Sequence, residues 1–147
     1  MKQKELLFED INVGDEIPSI SKKITLLALI QYCAATWDFH YAHIDREFAL
    51  ARKLPGNHAD GQEFGAFLTQ MIQSWAGNNV VFKKLGMTYR VLVIQDDTLT
   101  CKGKVSEKYQ KDKENLIKCD LWIENQRQEK VISPGYAIIA VKSKAGK

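Results

Sequence analysis

Asp38 and His43 have the chemistry and the spacing of an acid–base pair. They lie five positions apart in the stretch AATWDFHYAH, residues 34–43. A carboxylate and an imidazole that share one water can act together as general acid and base, because an imidazole both takes and gives a proton near neutral pH. The spacing leaves a second interpretation open, in which Asp38 closes a turn and His43 is a surface residue.

A helix is predicted to end just before this pair. Leu26, Ile30, Cys33 and Trp37 recur at intervals of three and four residues, which is the period of one helical face. Thr25 precedes them and can cap the first turn with its hydroxyl. We therefore expect a helix that ends at about Trp37, with the Trp37 side chain in the core.

The next segments alternate between loops and helices. Residues 38–44 are predicted to form a loop, and Asp45 can cap a short helix that ends near Lys53. Residues 61–76 are predicted to form a long amphipathic helix. Its apolar stripe consists of Phe64, Phe67, Leu68, Met71, Ile72 and Trp75.

The second half of the chain has the two-residue alternation of β-strands. The predicted strands are residues 84–93, 98–105, 117–124 and 130–141, the last one bulged at Pro134–Gly135. Short turns between them predict antiparallel neighbours, and a short extended segment at Pro18 is expected at an edge. An antiparallel sheet must bury its apolar face, and helix 61–76 is the available partner. The prediction is an α+β hot-dog fold, a sheet wrapped around one long helix.

Composition places the chain among ordinary globular domains. It has 147 residues, 45% of them hydrophobic, and a net charge of +3, which predicts one domain over residues 1–147. The mild, dispersed charge argues against a nucleic-acid partner. Cys33, Cys101 and Cys119 are far apart and lack metal-ligand spacing. With no apolar leader and no run long enough to span a bilayer, we expect a cytoplasmic protein with reduced thiols.

Residues 32–51, YCAATWDFHYAHIDREFALA, resemble the hydratase signature of the MaoC-like, (R)-specific enoyl-CoA hydratase family. That signature has Tyr and small residues, then Gly-Asp-x-Asn-Pro-x-His, then an acidic residue and Ala. The segments 8–15, 97–100 and 134–137 also resemble the family's opening strand, hairpin and closing strand. Departures from the pattern are Trp37 and Asp96 for Gly, His40 for Asn, Tyr41 for Pro, and Asp60 for the His before the central helix.

The resemblance implies an activity and a set of site residues. The family adds water to an enoyl thioester or removes it from a (3R)-hydroxyacyl thioester, which makes Asp38 and His43 the catalytic pair. The backbone N–H of Gly61 is the candidate that stabilises the thioester oxygen, and Asn57 and Asp60 are candidates for substrate binding. The expected substrate is an acyl-CoA, or less readily an acyl carrier protein thioester. No metal or redox cofactor is implied, because the substrate itself carries CoA or phosphopantetheine.

Two other interpretations stay open. A hot-dog acyl-CoA thioesterase would use a carboxylate at the start of the central helix, and Asp60 and Glu63 are placed for that role. Alternatively, the chain is one subunit of a hetero-oligomeric hydratase that works only with a second MaoC-like chain. Hot-dog domains usually pair, so a homodimer or a higher oligomer is expected in either case.

Overall fold

The computed structural model describes residues 5–78 and 80–144. A short 3-10 helix at Phe8–Asp10 precedes the main elements. In chain order these are β1 (Glu16–Lys23), α1 (Leu26–Thr36), α2 (Tyr41–Ile44), α3 (Arg46–Ala51), α4 (Gly61–Ala76), β2 (Val80–Tyr89), β3 (Thr98–Lys111), β4 (Glu114–Asn125) and β5 (Lys130–Val141).

The strands form one antiparallel sheet in the order β1-β3-β4-β5-β2. The expectation that all consecutive strands are neighbours is therefore wrong for β2 and β3, since β2 pairs with β5. The connection over residues 90–97 leads from β2 at one edge of the sheet to β3, next to the opposite edge strand β1, and is bound to the segment before α4. Ala59 N donates to Val93 O over 2.9 Å, and His58 forms an isolated bridge with Ile94.

Helix α4 packs on one face of this sheet and supplies much of the core. Leu68, Met71 and Ile72 are fully buried there, and Phe67 and Trp75 pack partly buried against the same cluster. Alternate residues of β3, β4 and β5 complete the core, as the two-residue period of a strand requires. The predicted α+β hot-dog arrangement, with a central helix at residues 61–76, is confirmed.

The edge strand and the last strand carry the predicted irregularities. Pro18 lies in β1, at the edge of the sheet, where the pairing with β3 shifts register between Ile17 and Ile20. A proline has no N–H to donate, so it is tolerated at an edge and at a bulge. Around Gly135 of β5, the pairing with both β4 and β2 is also irregular.

Helix α1 differs from its prediction at the C-terminal end. Thr25 caps it as expected, by accepting from Ala28 N over 3.1 Å. Leu29 and Cys33 are the buried residues, whereas the side chain of Trp37 is 83% exposed. Trp37 adopts a left-handed conformation with φ 61° and ψ 24°, which ends the helix and turns the side chain into solvent. The expectation that Trp37 lies in the core is wrong for this reason.

The predicted loop over residues 38–44 contains the four-residue helix α2. His40 caps it, with the ring Nδ1 accepting from Ala42 N over 3.3 Å. Asp45 then caps α3 by accepting from Phe48 N over 3.1 Å, as predicted. No helix among residues 5–78 and 80–144 is long and apolar enough to cross a membrane.

Candidate active site at the start of the central helix

Asp38 is positioned by the left-handed end of α1. Its backbone N–H donates to Cys33 O over 3.1 Å, which closes the cap beside Trp37. Its Oδ1 accepts from His40 N over 3.2 Å, so the carboxylate also anchors the turn that leads into α2. The side chain is exposed. One carboxylate oxygen thus closes the turn while the group stays accessible to water.

His43 lies on α2 and is held by a backbone carbonyl. The residue is buried, with 7% of its surface exposed, and its Nδ1 lies 2.7 Å from His58 O. A carbonyl oxygen only accepts, so Nδ1 must carry the proton and donate it. In the neutral ring Nε2 is then unprotonated and has a lone pair available. His58 N in turn donates to Ala42 O over 3.2 Å, which ties α2 to the segment before α4.

His40 lies between Asp38 and His43 in the chain and contacts both of them. The amide of His40 donates to Asp38 Oδ1, and the His40 ring centroid lies 5.7 Å from that of His43. The His43 ring also packs edge-on against His58, with centroids 4.5 Å apart. The Asp38–His43 segment is thereby packed against the residues that precede α4.

The N-terminus of α4 presents a free amide to a cleft. Asp60 caps the helix with its side chain, which accepts from Gln62 N over 2.9 Å, and its carbonyl accepts from Glu63 N over 3.1 Å. Among the described residues none accepts from Gly61 N–H. Gly61 lines a cleft of about 370 Å³ together with His58, Phe64 and Tyr89. An unpaired amide at the positive end of a 16-residue helix is suited to developing negative charge.

Gly61 also has a packing role. A Cβ atom at this position would lie 2.9 Å from Cε1 of Tyr89, closer than non-bonded carbon atoms approach. The absence of a side chain therefore lets the Tyr89 ring of β2 lie against the start of α4. Gly65, one turn later, similarly accommodates the methyl group of Met87.

The two candidate substrate-binding residues have separate surroundings. Asn57 is 2% exposed and lines another cleft, of about 330 Å³, with Arg46, Ile94 and Asp96 among its neighbours. Its backbone carbonyl accepts from Gln95 N over 2.8 Å, and its side-chain Nδ2 is buried without a partner. Asp60 is engaged in capping α4. A substrate contact by either residue stays a prediction.

The charged groups around the two helix ends act on one thiol. Burial raises the pKa of Cys33, and the negative charges of Asp38, Asp60 and Glu63 raise it further. Asp38 therefore lies within electrostatic reach of the same α1 residue as the carboxylates that begin α4.

Sequence reasoning treated His58 as a loop histidine and did not identify its backbone role. The His58 carbonyl fixes the proton on His43, and any residue at this position supplies the same carbonyl. No side-chain pattern could therefore have revealed it. Arg90 lines the cleft beside Gly61, and its Nε donates to Ser133 O over 2.6 Å. Within the described ranges, no cluster of three or more His, Cys, Asp or Glu side chains could hold a metal ion.

Comparison with solved structures shows the same fold. The R-hydratase PhaJ1 from Pseudomonas aeruginosa superposes with a TM-score of 0.87 at 20% identity, over 95% of this chain and 88% of that one. The (R)-hydratase from A. caviae involved in PHA biosynthesis gives a TM-score of 0.82 at 16% identity, over 90% and 98%. The ChsH1-ChsH2 complex from Mycobacterium tuberculosis gives 0.80 at 20% identity, over 89% and 98%.

Sequence comparison identifies the family. No curated protein sequence matches the chain significantly. The model of the MaoC-like domain matches residues 12–125, a span that includes Asp38, His43, Gly61 and most of the sheet. By this match the chain belongs to the MaoC-like domain family.

Proposed function

We propose that this protein is a hydratase or dehydratase that adds water to, or removes it from, the 2,3 position of an enoyl or (3R)-hydroxyacyl thioester. One observation carries the proposal: His43 Nδ1 donates to His58 O over 2.7 Å, which leaves Nε2 to act as the acceptor in a pair with Asp38. Membership of the MaoC-like domain family and a fold shared with (R)-hydratases support it. The proposed substrate is an acyl-CoA, or less readily an acyl carrier protein thioester.

In hydration, Asp38 and His43 hold one water between them. His43 Nε2 accepts a proton as the water oxygen bonds to carbon 3 of the enoyl group. The electrons of the double bond move towards the thioester carbonyl. The proton that His43 accepted is then delivered to carbon 2, either by His43 itself or by Asp38 after it has taken that proton from His43. Dehydration of the hydroxyacyl thioester follows the same steps in reverse.

Negative charge builds on the thioester oxygen as the enolate forms. The unpaired N–H of Gly61 is the proposed donor to that oxygen, because it opens on the cleft at the positive end of α4. The neighbouring amides are less suitable, since Gln62 N–H and Glu63 N–H are already used within the cap. A single short segment, residues 58–61, thus orients His43 and supplies the oxyanion donor.

The thioesterase alternative depends on Asp60 or Glu63, and neither residue lines the cleft at Gly61. The Asp60 carboxylate accepts from Gln62 N over 2.9 Å, so one of its oxygens is used in capping α4. Glu63 is buried, with 5% of its surface exposed. A thioesterase reaction remains distinguishable by experiment, because it alone releases a free thiol.

We also propose an oligomer, either a homodimer or larger, or a complex with a second MaoC-like subunit. Strand β2 supports this: it forms one edge of the sheet, and Val81 and Tyr89 on it are exposed apolar residues. One structure of the same fold is described as a ChsH1-ChsH2 complex. A cytoplasmic location is proposed from the free thiols of Cys33, Cys101 and Cys119, which are all buried.

The function is tested by mixing the purified protein with a short enoyl-CoA and following the loss of absorbance of the conjugated double bond. The wild type should hydrate it, and Asp38→Asn and His43→Ala should each abolish the reaction. Asp112→Asn is the matched control, because Asp112 is an exposed aspartate in the β3–β4 turn. Release of thiol without hydration would favour the thioesterase. Activity only with a second MaoC-like chain would favour the hetero-oligomer.

A further inference from the structure

Residues 57–59 and 93–95 pair as two short antiparallel segments beside the candidate site, with His58 opposite Ile94. The hydrogen bonds of this pair are made by the residues on either side of these two, over 2.9 and 2.8 Å between N and O atoms. In such a pair the N–H and C=O groups of the two facing residues point away from each other. The backbone groups of His58 and of Ile94 are therefore directed to opposite sides.

The backbone groups of His58 point towards α2. Its N–H donates to Ala42 O over 3.2 Å, and its carbonyl accepts from His43 Nδ1 over 2.7 Å. A displacement of residues 57–59 would move that carbonyl away from the His43 ring. The position of the proton on His43 thus depends on the segment that holds residues 57–59 from the other side, which is residues 93–95.

The backbone groups of Ile94 point towards Asp97. Asp97 N donates to Ile94 O over 3.1 Å, and Asp97 Oδ2 accepts from Ile94 N over 3.1 Å. The other carboxylate oxygen, Oδ1, accepts from Gln126 Nε2 over 2.6 Å and from Arg127 Nη1 over 3.1 Å. Asp97 itself is 2% exposed. One buried carboxylate thereby fixes residues 93–95 to the turn between β4 and β5.

We propose that Asp97 is a positioning residue for His43: its carboxylate holds residues 93–95, and through them it holds the His58 carbonyl against the His43 ring. Without that carbonyl, the neutral ring can carry its proton on either nitrogen, and a ring protonated at Nε2 has no lone pair there to accept another. The consequence for catalysis rests on the proposed function. The consequence for the proton on His43 does not.

Nuclear magnetic resonance of protein labelled with nitrogen-15 histidine tests this directly. At a pH where the rings are neutral, the ring nitrogen shifts report which nitrogen carries the proton, and we call this pattern the His43 signature. The chain has three histidines, so His40→Gln, His43→Gln and His58→Gln assign the signals. The wild type should show the proton of His43 on Nδ1, and Asp97→Ala should show a mixture of both forms. The kcat for hydration should fall about tenfold, the value of one net hydrogen bond, with KM nearly unchanged.

Two further variants separate positioning from a general loss of packing. Asp97→Asn should keep most of the His43 signature and of kcat, because its amide oxygen can still accept from Ile94 N. Ile139→Ala should lower stability in urea, since Ile139 is fully buried in β5, and should leave the His43 signature and kcat unchanged. A wild-type signature in Asp97→Ala, or an equal change of signature in Ile139→Ala, would overturn the inference.

A double variant keeps the inference testable if Asp97→Ala does not fold. Gln126→Ala combined with Arg127→Ala removes both of these donors to Asp97 Oδ1 and changes only exposed residues. It should change the His43 signature in the same direction and by a smaller amount. A signature identical to that of the wild type would overturn the inference here as well.

The two readouts separate this inference from the proposed function. Hydration of enoyl-CoA by the wild type, with a His43 signature that does not respond to Asp97→Ala, would overturn the positioning role and leave the hydratase assignment intact. A signature that depends on Asp97, in a protein that hydrates no enoyl-CoA alone or with a second MaoC-like subunit, would support the positioning role and contradict the hydratase.

Discussion

Replacing Glu63 with glutamine should remove a pH-dependent part of the stability of the protein. Burial, with Asp60 adding to it, raises the pKa of Glu63 from 4.5 to about 7. Between these two values the folded protein keeps a proton that the unfolded chain has released. The free energy of unfolding of the wild type therefore falls as the pH rises through this window, and it levels off above the folded pKa.

The size of the effect follows from the shift. Each unit of pKa difference corresponds to about 1.4 kcal/mol, so the shift amounts to at most about 3 kcal/mol over the window. The glutamine side chain of the variant cannot titrate, so the stability of the variant minus that of the wild type should grow by this amount between acidic and mildly alkaline pH. A difference in hydrogen bonding that does not depend on pH shifts the plot of this stability difference against pH by a constant and leaves its slope unchanged.

Urea unfolding followed by tryptophan fluorescence at a series of pH values measures this difference directly. Titration of the histidines and the other carboxylates cancels between the two proteins. Glu47→Gln is the matched control, because Glu47 is an exposed residue of α3. A stability difference that is flat across the window for Glu63→Gln, or equally steep for Glu47→Gln, would refute the argument that burial holds the proton on Glu63.

Other changes test the backbone, the core and the oxyanion site. Trp37→Gly should raise the free energy of unfolding by about 1 kcal/mol, because it relieves a left-handed residue that buries little. Asp96→Gly should raise the free energy of unfolding by less, since aspartate tolerates the left-handed conformation. A loss of stability in Trp37→Gly would contradict this. Leu68→Ala should cost about 2–5 kcal/mol in urea unfolding, and a cost below about 1 kcal/mol would mean that α4 is not packed as described. Gly61→Ala should lower hydration activity by displacing the Tyr89 ring, and adding Tyr89→Ala should restore part of it, because the amide N–H remains. No recovery in the double variant would argue against displacement of Tyr89 as the cause.

Helix α4 and strands β3, β4 and β5 could be predicted because the spacing of their hydrophobic residues follows from which side chains are buried. The stripe on α4 and the alternation in β3, β4 and β5 match their buried residues. Strand order could not be predicted in this way. Residues 90–97 are few enough for a local turn, and their hydrogen bonds with residues 57–59, with Ile24 and with Val131 hold them across the sheet instead. Such long-range pairing leaves no periodic signal in the segment itself.

At the candidate site, spacing and family resemblance made Asp38, His43 and Gly61 candidates, and their roles stay predictions. The groups that hold these residues in place could not be predicted. No pattern of side chains could predict the hydrogen bond from His43 to the backbone carbonyl of His58. The exposure of Trp37 depends on a left-handed φ, which glycine adopts more readily than other residues. Both glycines of the family pattern that this chain lacks fall at left-handed positions, at Trp37 and Asp96. Glycine adopts this conformation most readily, so both positions favour glycine although this chain has Trp and Asp there.

The rate of hydration of an enoyl-CoA by wild type, Asp38→Asn and His43→Ala, measured side by side on folded proteins, tests the central claim most directly. We expect the wild type to be active and each variant to lose at least about a hundredfold in kcat, the contribution of general acid–base catalysis. Asp112→Asn should retain the wild-type rate. Wild-type rates in both site variants would contradict the assignment of Asp38 and His43. Absence of hydration by the wild type, alone and with a second MaoC-like subunit, would contradict the function.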